Sequence, residues 1–209
     1  MDLRLVTLPP DLIARCQQYG VGVVESYAAG RNRGSRALSS HGAEGNAILQ
    51  ATGKMAECAF CRWAGLNPDE ALNWSGHSDP GFDALMAYGL RVDTKMTGWN
   101  GRCLIWPINK TFLLKDEPLD ILVLVKAKPP LFQIAGWIGR DAFLIGHRVA
   151  GPNHKLDEGT WYMDQDDLWQ PSELRRLLRS ASKCEPTPSH AAHVRNVLRE
   201  MIPLSPGGA

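Results

Sequence analysis

Residues 81–97 read GFDALMAYGLRVDTKMT, and the interpretation of the whole chain depends on this stretch. Residues suited to a sheet lie on both sides of Gly89, and glycine accepts the positive φ angle of a tight turn at little cost. The pattern predicts two antiparallel strands, 82–88 and 90–96, that reverse near Gly89.

Charged residues inside this predicted hairpin indicate a candidate metal-binding site. Asp83 and Asp93 should lie opposite each other to within about one residue of register. Side chains alternate along a strand, so Asp93 and Lys95 share one face, while Val92 and Thr94 share the other. Two close carboxylates raise each other's pKa unless a cation lies between them, and oxygen ligands suit Mg²⁺ or Mn²⁺. A solvated surface ion pair is the structural alternative for Asp93 and Lys95.

The segments before the hairpin predict helices. Residues 10–28 space their apolar side chains as one helical face, which predicts one helix or two short ones. Residues 30–50 are rich in Gly, Ser and Arg and predict a loop. Residues 53–64 predict an amphipathic helix that carries Glu57 and ends near Gly65.

The segments after the hairpin predict strands and then two helices. RCLIWPI, ILVLVKA and LFQIAGWI have the composition of strands, and the turn KPP joins the last two. A short strand in GTWYM, a helix beginning at Pro171 and a final helix in HAAHVRNVLREMI follow. Four or five strands after a helix predict an α/β or α+β fold.

The order of these elements resembles the PD-(D/E)XK nuclease superfamily, in particular its phage and mobile-element members. On that resemblance Glu57 matches the acid of the first helix, Asp83 the strand aspartate, and Asp93 and Lys95 the acidic-x-Lys pair. The likeness covers residues 50–170 and includes the closing WYMDQDDLWQPSEL. The chain departs from the usual motif at Phe82, where proline is common, and at Asp93, where Glu is commoner.

The resemblance implies a restriction-endonuclease-like core, a central mixed β-sheet flanked by helices. It implies a Mg²⁺- or Mn²⁺-dependent deoxyribonuclease in which a metal-activated water attacks the phosphodiester. Asp83 and Asp93 would bind the metal, Glu57 would bind it directly or through water, and Lys95 would position the nucleophile. The alternative is an inactive, phage-encoded factor with this fold that binds nucleic acid or a protein partner.

Further residues are assigned to this site more weakly. Asp120 and Gln133 are auxiliary candidates if the sheet is continuous, and polar residues at strand ends are often structural. Basic side chains that could contact DNA phosphates are Arg31, Arg33, Arg36, Arg102, Lys126 and Lys128.

Length, composition and net charge limit the number of domains and the kinds of partner. The chain has 209 residues, 44% of them hydrophobic, and can bury one sizeable core. We expect a single domain over 1–182, with an N-terminal helical and Arg-rich extension, and a C-terminal helix and tail over 183–209. The net charge of +1 gives no general attraction to nucleic acid.

Cellular location and assembly are expectations of the same kind. Five cysteines without a secretory signal favour reduced thiols in the cytoplasm, the host cytoplasm if the chain is phage-encoded. No apolar run is long enough for a membrane span. Cutting both strands of a duplex usually needs two sites, which leaves a homodimer open.

A second metal interpretation concerns zinc. His41, Glu44 and the pair Cys58 and Cys61 are similar to the H-x-E and P-C-x-x-C pattern of zinc deaminases. Here the spacing is H-x-x-E, and one extra residue rotates the Glu by about 100° on a helix. His41 and His77 could complete a zinc site, whereas two buried thiols on a helix are the structural alternative.

Overall fold

The computed structural model describes residues 4–29, 42–75, 82–86, 89–106, 119–152, 154–181 and 188–200. The helices in these ranges are α1 (Pro10–Ala28), α2 (Gly42–Ala64), α3 (Pro68–Ala71), α4 (Arg140–Gly146), α5 (Pro171–Ala181) and α6 (Pro188–Glu200). The strands are β1 (Leu5–Thr7), β2 (Ala84–Leu85), β3 (Arg91–Gly98), β4 (Cys103–Trp106), β5 (Ile121–Lys128), β6 (Leu131–Gly139), β7 (Arg148–Val149) and β8 (Trp161–Asp164). The chain is therefore a mixed fold of helices and sheets, as the order of elements predicted.

The helices α1 and α2 pack against each other along the first part of the chain. The prediction of a helix over 10–28 is confirmed as one continuous α1. Gly20 is buried where the helices meet, and a Cβ there would lie 2.3 Å from the carbonyl oxygen of Ala47. The glycine thus permits a close approach of the two helices and does not break α1.

Helix α2 is longer than predicted. It begins at Gly42, whereas the composition predicted a loop to residue 50 and a helix only from Gly53. The prediction was wrong because packing against α1 and the sheet outweighs the low helix propensity of the glycines. The end of α2 is as predicted, since Gly65 follows it with φ +80°.

The larger sheet has five strands in the order β1-β6-β5-β3-β2. β3 and β5 are parallel, and the other neighbours are antiparallel, so the sheet is mixed. The predicted pairs β2–β3 and β5–β6 are confirmed, although β2 covers only Ala84–Leu85.

The two faces of this sheet are covered differently. Ile121 and Val123 of β5 pack with residues of α1 and α2, whereas Leu122 and Leu124 pack with residues of β4, β8 and α4. β4, β8 and β7 form a second sheet, with β8 between the other two. The predicted strand RCLIWPI, seen as β4, therefore belongs to this second sheet, and helices alone do not flank the main sheet.

The C-terminal helices contact the same core. Leu174 of α5 and both Val194 and Leu198 of α6 are buried in the cluster that contains the α2 side chains. The guanidinium of Arg195, on α6, donates hydrogen bonds to the Asp120 carboxylate at 3.1 Å and to the Gly89 carbonyl at 2.9 Å. The described part of 183–209 thus packs on the domain.

Candidate active site

Asp83 and Asp93 lie opposite each other at one edge of the main sheet. Ala84 pairs with Val92 in the β2–β3 ladder, and the next position outward joins Asp83 to Asp93. The Asp83 N–H donates to the Val92 carbonyl at 2.9 Å, one residue from the position opposite Asp93. The prediction that Asp83 and Asp93 lie opposite each other to within about one residue is confirmed.

Asp93 and Lys95 share one face of β3, as alternation predicted. In the parallel ladder Asp93 lies beside Leu122 and Lys95 beside Leu124, and both leucines point to the second sheet. The Lys95 ammonium lies 2.5 Å from Asp93 Oδ2 and 4.3 Å from the centre of the Trp106 ring. β4 thus supplies an aromatic wall for this lysine.

The side chain of Asp93 is only 9% exposed. Its buried Oδ2 contacts the Lys95 ammonium but has no partner with hydrogen-bond geometry among the described residues. The contact is therefore an ion pair without hydrogen-bond geometry. A lone pair of this oxygen remains available to another ligand.

Asp83 accepts a hydrogen bond from the Thr94 N–H to Oδ2, at 2.6 Å. Its carboxylate therefore lies in the plane of the sheet, beyond the end of β2. Burial raises the pKa of Asp83 well above its ordinary value, and the Glu57 and Asp93 carboxylates raise it further. Lys95 and the Thr94 N–H oppose this rise and do not cancel it.

Glu57 comes to Asp83 from the opposite face of the sheet. It lies on α2, which packs on the face that Asp93 and Lys95 do not share. The carboxylates of Glu57 and Asp93 both raise the pKa of Asp83. Asp83, Asp93 and Lys95 are therefore neighbours, whereas Glu57 lies on the other face and is connected to them through its electrostatic effect on Asp83.

Lys54 is a member of this site that sequence reasoning missed. Its ammonium forms an ion pair with Glu57 Oε2, donates to the Asn73 carbonyl at 3.1 Å and lies 4.6 Å from the Tyr19 ring centre. Burial alone would lower the pKa of Lys54, but the neighbouring Glu57, with Tyr19 and Asp83, raises it. The only sequence signal is the spacing of three residues to Glu57, which makes helical side chains neighbours.

We call Lys54, Glu57, Asp83, Asp93 and Lys95 the acid–lysine cluster. The cluster holds three acids and two lysines, so one negative charge would lack a counterion once Asp83 gives up the proton that its raised pKa favours (3 − 2 = 1). In the described residues no three His, Cys, Asp or Glu side chains converge enough to hold a metal ion. Asp83 and Asp93 nevertheless fit an Mg²⁺ or Mn²⁺ ion that completes its shell with water, because hard cations prefer such oxygen ligands.

The auxiliary candidates lie elsewhere. Asp120 accepts from the Arg91 N–H at 2.9 Å and from Arg195, so its carboxylate joins the start of β3 to α6. Gln133 lies on β6, where it pairs with Lys126 of β5, and β6 is two strands away from β3. Within the described ranges, neither side chain forms a hydrogen bond or ion pair with the acid–lysine cluster.

The predicted basic residues divide into three groups. Lys126 lies beside Thr97 and continues the face of Asp93 and Lys95, while Lys128 is exposed at the end of β5. Arg102 forms an ion pair with Asp166 beside the second sheet. Arg31, Arg33 and Arg36 lie outside the described residues.

The two cysteines of the zinc interpretation lie in the hydrophobic core. Cys58 and Cys61 are both fully buried, and Cys58 Sγ lies 3.7 Å from Cys16 Sγ. The Cys16 contact and burial raise the pKa of Cys58, and burial raises the pKa of Cys61 to about 12. Glu44 is exposed in the first turn of α2, and His41 and His77 lie outside the described residues.

No protein-family model, curated protein or solved structure matches this chain. The resemblance to the nuclease superfamily therefore stays a prediction from the order and spacing of the motif. None of the helices in the described ranges has the length and apolar character to cross a membrane.

Proposed function

We propose that the chain is a Mg²⁺- or Mn²⁺-dependent deoxyribonuclease with a restriction-endonuclease-like core. The observation that carries the proposal is the buried Asp93 oxygen beside Lys95, with Asp83 directly opposite. A carboxylate pair with one uncompensated charge attracts a cation, and an adjacent ammonium suits a phosphate or an attacking water.

The residues would act as follows. A bound divalent ion would lower the pKa of a coordinated water and offset the charge of the phosphate. Asp83 and Asp93 would hold the ion, and Asp83 would give up its proton to do so. Lys95, held between Asp93 and the Trp106 ring, would donate a hydrogen bond to the water or to a phosphate oxygen.

DNA is the proposed substrate because positive charge continues along the same face. Lys126 follows Lys95 on that face at the level of Thr97, and a row of lysines can follow a phosphate backbone. The proposal includes a cytoplasmic location and, for cleavage of both strands of a duplex, a homodimer.

Cleavage by purified variants tests the proposal. The full-length chain is incubated with supercoiled duplex and single-stranded DNA in Mg²⁺, Mn²⁺ or EDTA. Asp93→Asn and Lys95→Met should each lose about 100-fold or more of the cleavage rate, since each removes a group that acts on the reacting centre. Asp157→Asn, at an exposed position, is the matched control and should cut normally. Full activity in either site variant, with a folded circular dichroism spectrum, would overturn the assignment.

A second function is favoured by a different observation. Both lysines of the acid–lysine cluster already contact carboxylates, Lys95 with Asp93 and Lys54 with Glu57. An acid that is neutralised in this way needs no metal, as expected for an inactive factor that binds nucleic acid or a protein. For such a factor, anisotropy of a labelled oligonucleotide would show binding that EDTA does not change, and no DNA form would be cut.

A further inference from the structure

The face of the main sheet that carries Asp93 and Lys95 extends past the second sheet. Residues paired across two strands point to the same face of a sheet. Lys95 pairs with Leu124 of β5, and two residues further along β5 the same face carries Lys126, which pairs with Gln133 of β6. Leu124 is buried in the core beneath the second sheet, whereas Lys126 and Gln133 are partly exposed. The face is therefore covered around Asp93 and accessible from Lys126 onward.

Lys95, Lys126 and Lys128 follow one another on this face, and we call them the lysine column. Lys126 and Lys128 are two residues apart on β5, and Lys95 lies on the neighbouring strand two residues before the level of Lys126. Two residues along a strand correspond to roughly 6.6 Å, which is close to the spacing of successive phosphates along one nucleic-acid strand. The described strands β1, β5 and β6 contain no Asp or Glu. The lysine column therefore suits a phosphate backbone.

Three uncharged side chains, Leu5, Leu131 and Gln133, lie beside these lysines, and we call them the uncharged column. Gln133 pairs with Lys126, Leu131 pairs with Lys128, and Leu5 of β1 pairs with Gln133. Leu5 is 41% exposed and Leu131 is partly exposed, so apolar surface borders the lysine column. An amide can hydrogen-bond the edge of an unpaired base, and apolar side chains can pack on its flat surface. The uncharged column is thus suited to bases that are not in a duplex.

The end of this face that carries the candidate site is recessed. The side chains of Asp93 and Lys95 are 9% and 25% exposed, and the Trp106 ring of β4 lies 4.3 Å from the Lys95 ammonium. The turn after β3 approaches the sheet closely, since a Cβ at Gly101 would lie 1.9 Å from Thr97 Oγ1. A single strand can bend its backbone into such a corner, whereas a duplex is stiff and keeps its bases paired.

We infer that the strand bound on this face is unpaired DNA, with its phosphates along the lysine column and its bases on the uncharged column. The inference rests on the proposed nuclease function and narrows its substrate to single-stranded DNA or a single-stranded stretch of a longer molecule. Both columns lie on the face of Asp93 and Lys95, so a strand held there reaches the candidate site.

Fluorescence anisotropy in EDTA tests the inference without metal or cleavage. The full-length chain is titrated into a labelled oligonucleotide and into the same strand annealed to its complement. The wild type should bind the single strand about tenfold more tightly than the duplex. Lys126→Gln/Lys128→Gln removes two phosphate contacts, so the slope of log affinity against log salt for the single strand should become shallower by about 1.4. Lys155→Gln, at an exposed position before β8, is the matched control and should keep the wild-type slope.

Variants of the uncharged column separate base contacts from general electrostatics. Leu5→Ser and Gln133→Ala leave the net charge unchanged and should each weaken single-strand binding by about three- to tenfold. Their affinity for the duplex should stay at the wild-type value, because paired bases do not reach this column. Leu49→Ser is the control for Leu5→Ser, since Leu49 is 43% exposed on α2, which packs on the other face. Single-strand binding by Leu5→Ser and Gln133→Ala that equals the wild type would overturn the inference.

Binding and cleavage together distinguish this inference from the proposed function. Duplex binding as tight as single-strand binding, no binding to either form, or a salt slope unchanged in Lys126→Gln/Lys128→Gln would overturn the inference, and the nuclease would still stand if Mg²⁺ or Mn²⁺ supports cleavage. Single-strand preference that depends on both columns, without cleavage of any DNA form, would support the binding face and overturn the nuclease. Preference for the single strand together with metal-dependent cleavage of it supports both.

Discussion

Lys54 and Lys95 each contact one carboxylate, yet their surroundings give them different roles. The side chain of Lys95 is 25% exposed and lies against the Trp106 ring, so a bound phosphate can reach it. The side chain of Lys54 is 5% exposed and enclosed by α1, α2 and the Asn73 carbonyl. In the proposed nuclease, Lys95 would therefore act at the reacting centre and Lys54 would lie behind it.

Removing one partner of the buried Lys54–Glu57 ion pair should lower the stability of the fold. Lys54→Met leaves the Glu57 carboxylate without its ammonium and should lower the free energy of unfolding by about 3 to 5 kcal/mol. Lys54→Met/Glu57→Gln removes both charges and should recover most of that loss. Urea unfolding in EDTA measures both variants, and a double variant as unstable as the single one would show that the charge is not the cause.

The pH dependence of stability should report on Asp83. Its pKa is raised in the folded chain, so the folded state holds a proton that the unfolded state releases above its ordinary pKa of 3.8. Stability from this group therefore falls as pH rises from that value to the raised pKa. Asp83→Asn keeps an acceptor for the Thr94 N–H and removes this loss.

The melting temperature of Asp83→Asn should exceed that of the wild type at about pH 8 and approach it near pH 4. Differential scanning calorimetry in EDTA gives both values, and Asp157→Asn serves as the exposed control. A difference that is the same at both pH values would contradict the raised pKa.

The contact between α1 and α2 depends on the absence of a side chain at one point. Gly20 lies against the backbone of α2, whereas a Cβ at Gly22 would meet no atom of the described residues within 4 Å. The two glycines look alike in the sequence, because both lower helix propensity. Only Gly20 has a reason in the packing.

Alanine substitution should separate these two glycines. Gly20→Ala places a methyl group 2.3 Å from the Ala47 oxygen, and the resulting strain should cost about 1 to 3 kcal/mol of unfolding free energy. Gly22→Ala should stabilise the chain by about 0.5 to 1 kcal/mol through helix propensity. Chemical denaturation measures both, and equal effects would mean that α1 and α2 do not approach as described.

Local sequence patterns predicted where the strands lie better than they predicted which strands pair with each other. Alternating and apolar runs located β3, β5 and β6, because their side chains have to match the two cores they face. The assignment of β4 to a second sheet has no local signal, since hydrogen-bond partners far along the chain decide it. The first turns of α2 were missed because tertiary contacts stabilise a segment of low propensity.

In the candidate site, too, local relations along one hairpin were predictable and contacts between distant segments were not. The register of Asp83 and Asp93 was predictable from the hairpin, and so was the shared face of Asp93 and Lys95. The burial of Lys54 was not, because lysines on a helix usually face water. The arrival of Glu57 from the other face of the sheet also depends on how α2 packs, which spacing alone does not determine.

The C-terminal helix contributes to the stability of the whole domain through its buried residues. Leu198 is 4% exposed in the main core, whereas Asn196 on the same helix is exposed. Leu198→Ala should lower the free energy of unfolding by about 2 to 5 kcal/mol in a single transition. Asn196→Ala should change little. An unchanged melting temperature for Leu198→Ala would instead indicate an independent appendage after residue 182.

The bond from the Thr94 N–H to Asp83 also bears on aggregation. β2 pairs with β3 only at Ala84 and Leu85, so among the described residues no backbone carbonyl of β2 reaches the amide of Thr94. Unpaired edge amides invite strands of other molecules, and inward-pointing charged residues are one way in which proteins protect them. The carboxylate of Asp83 occupies the place of an incoming carbonyl, so a residue proposed to bind metal also protects the chain against intermolecular strand addition.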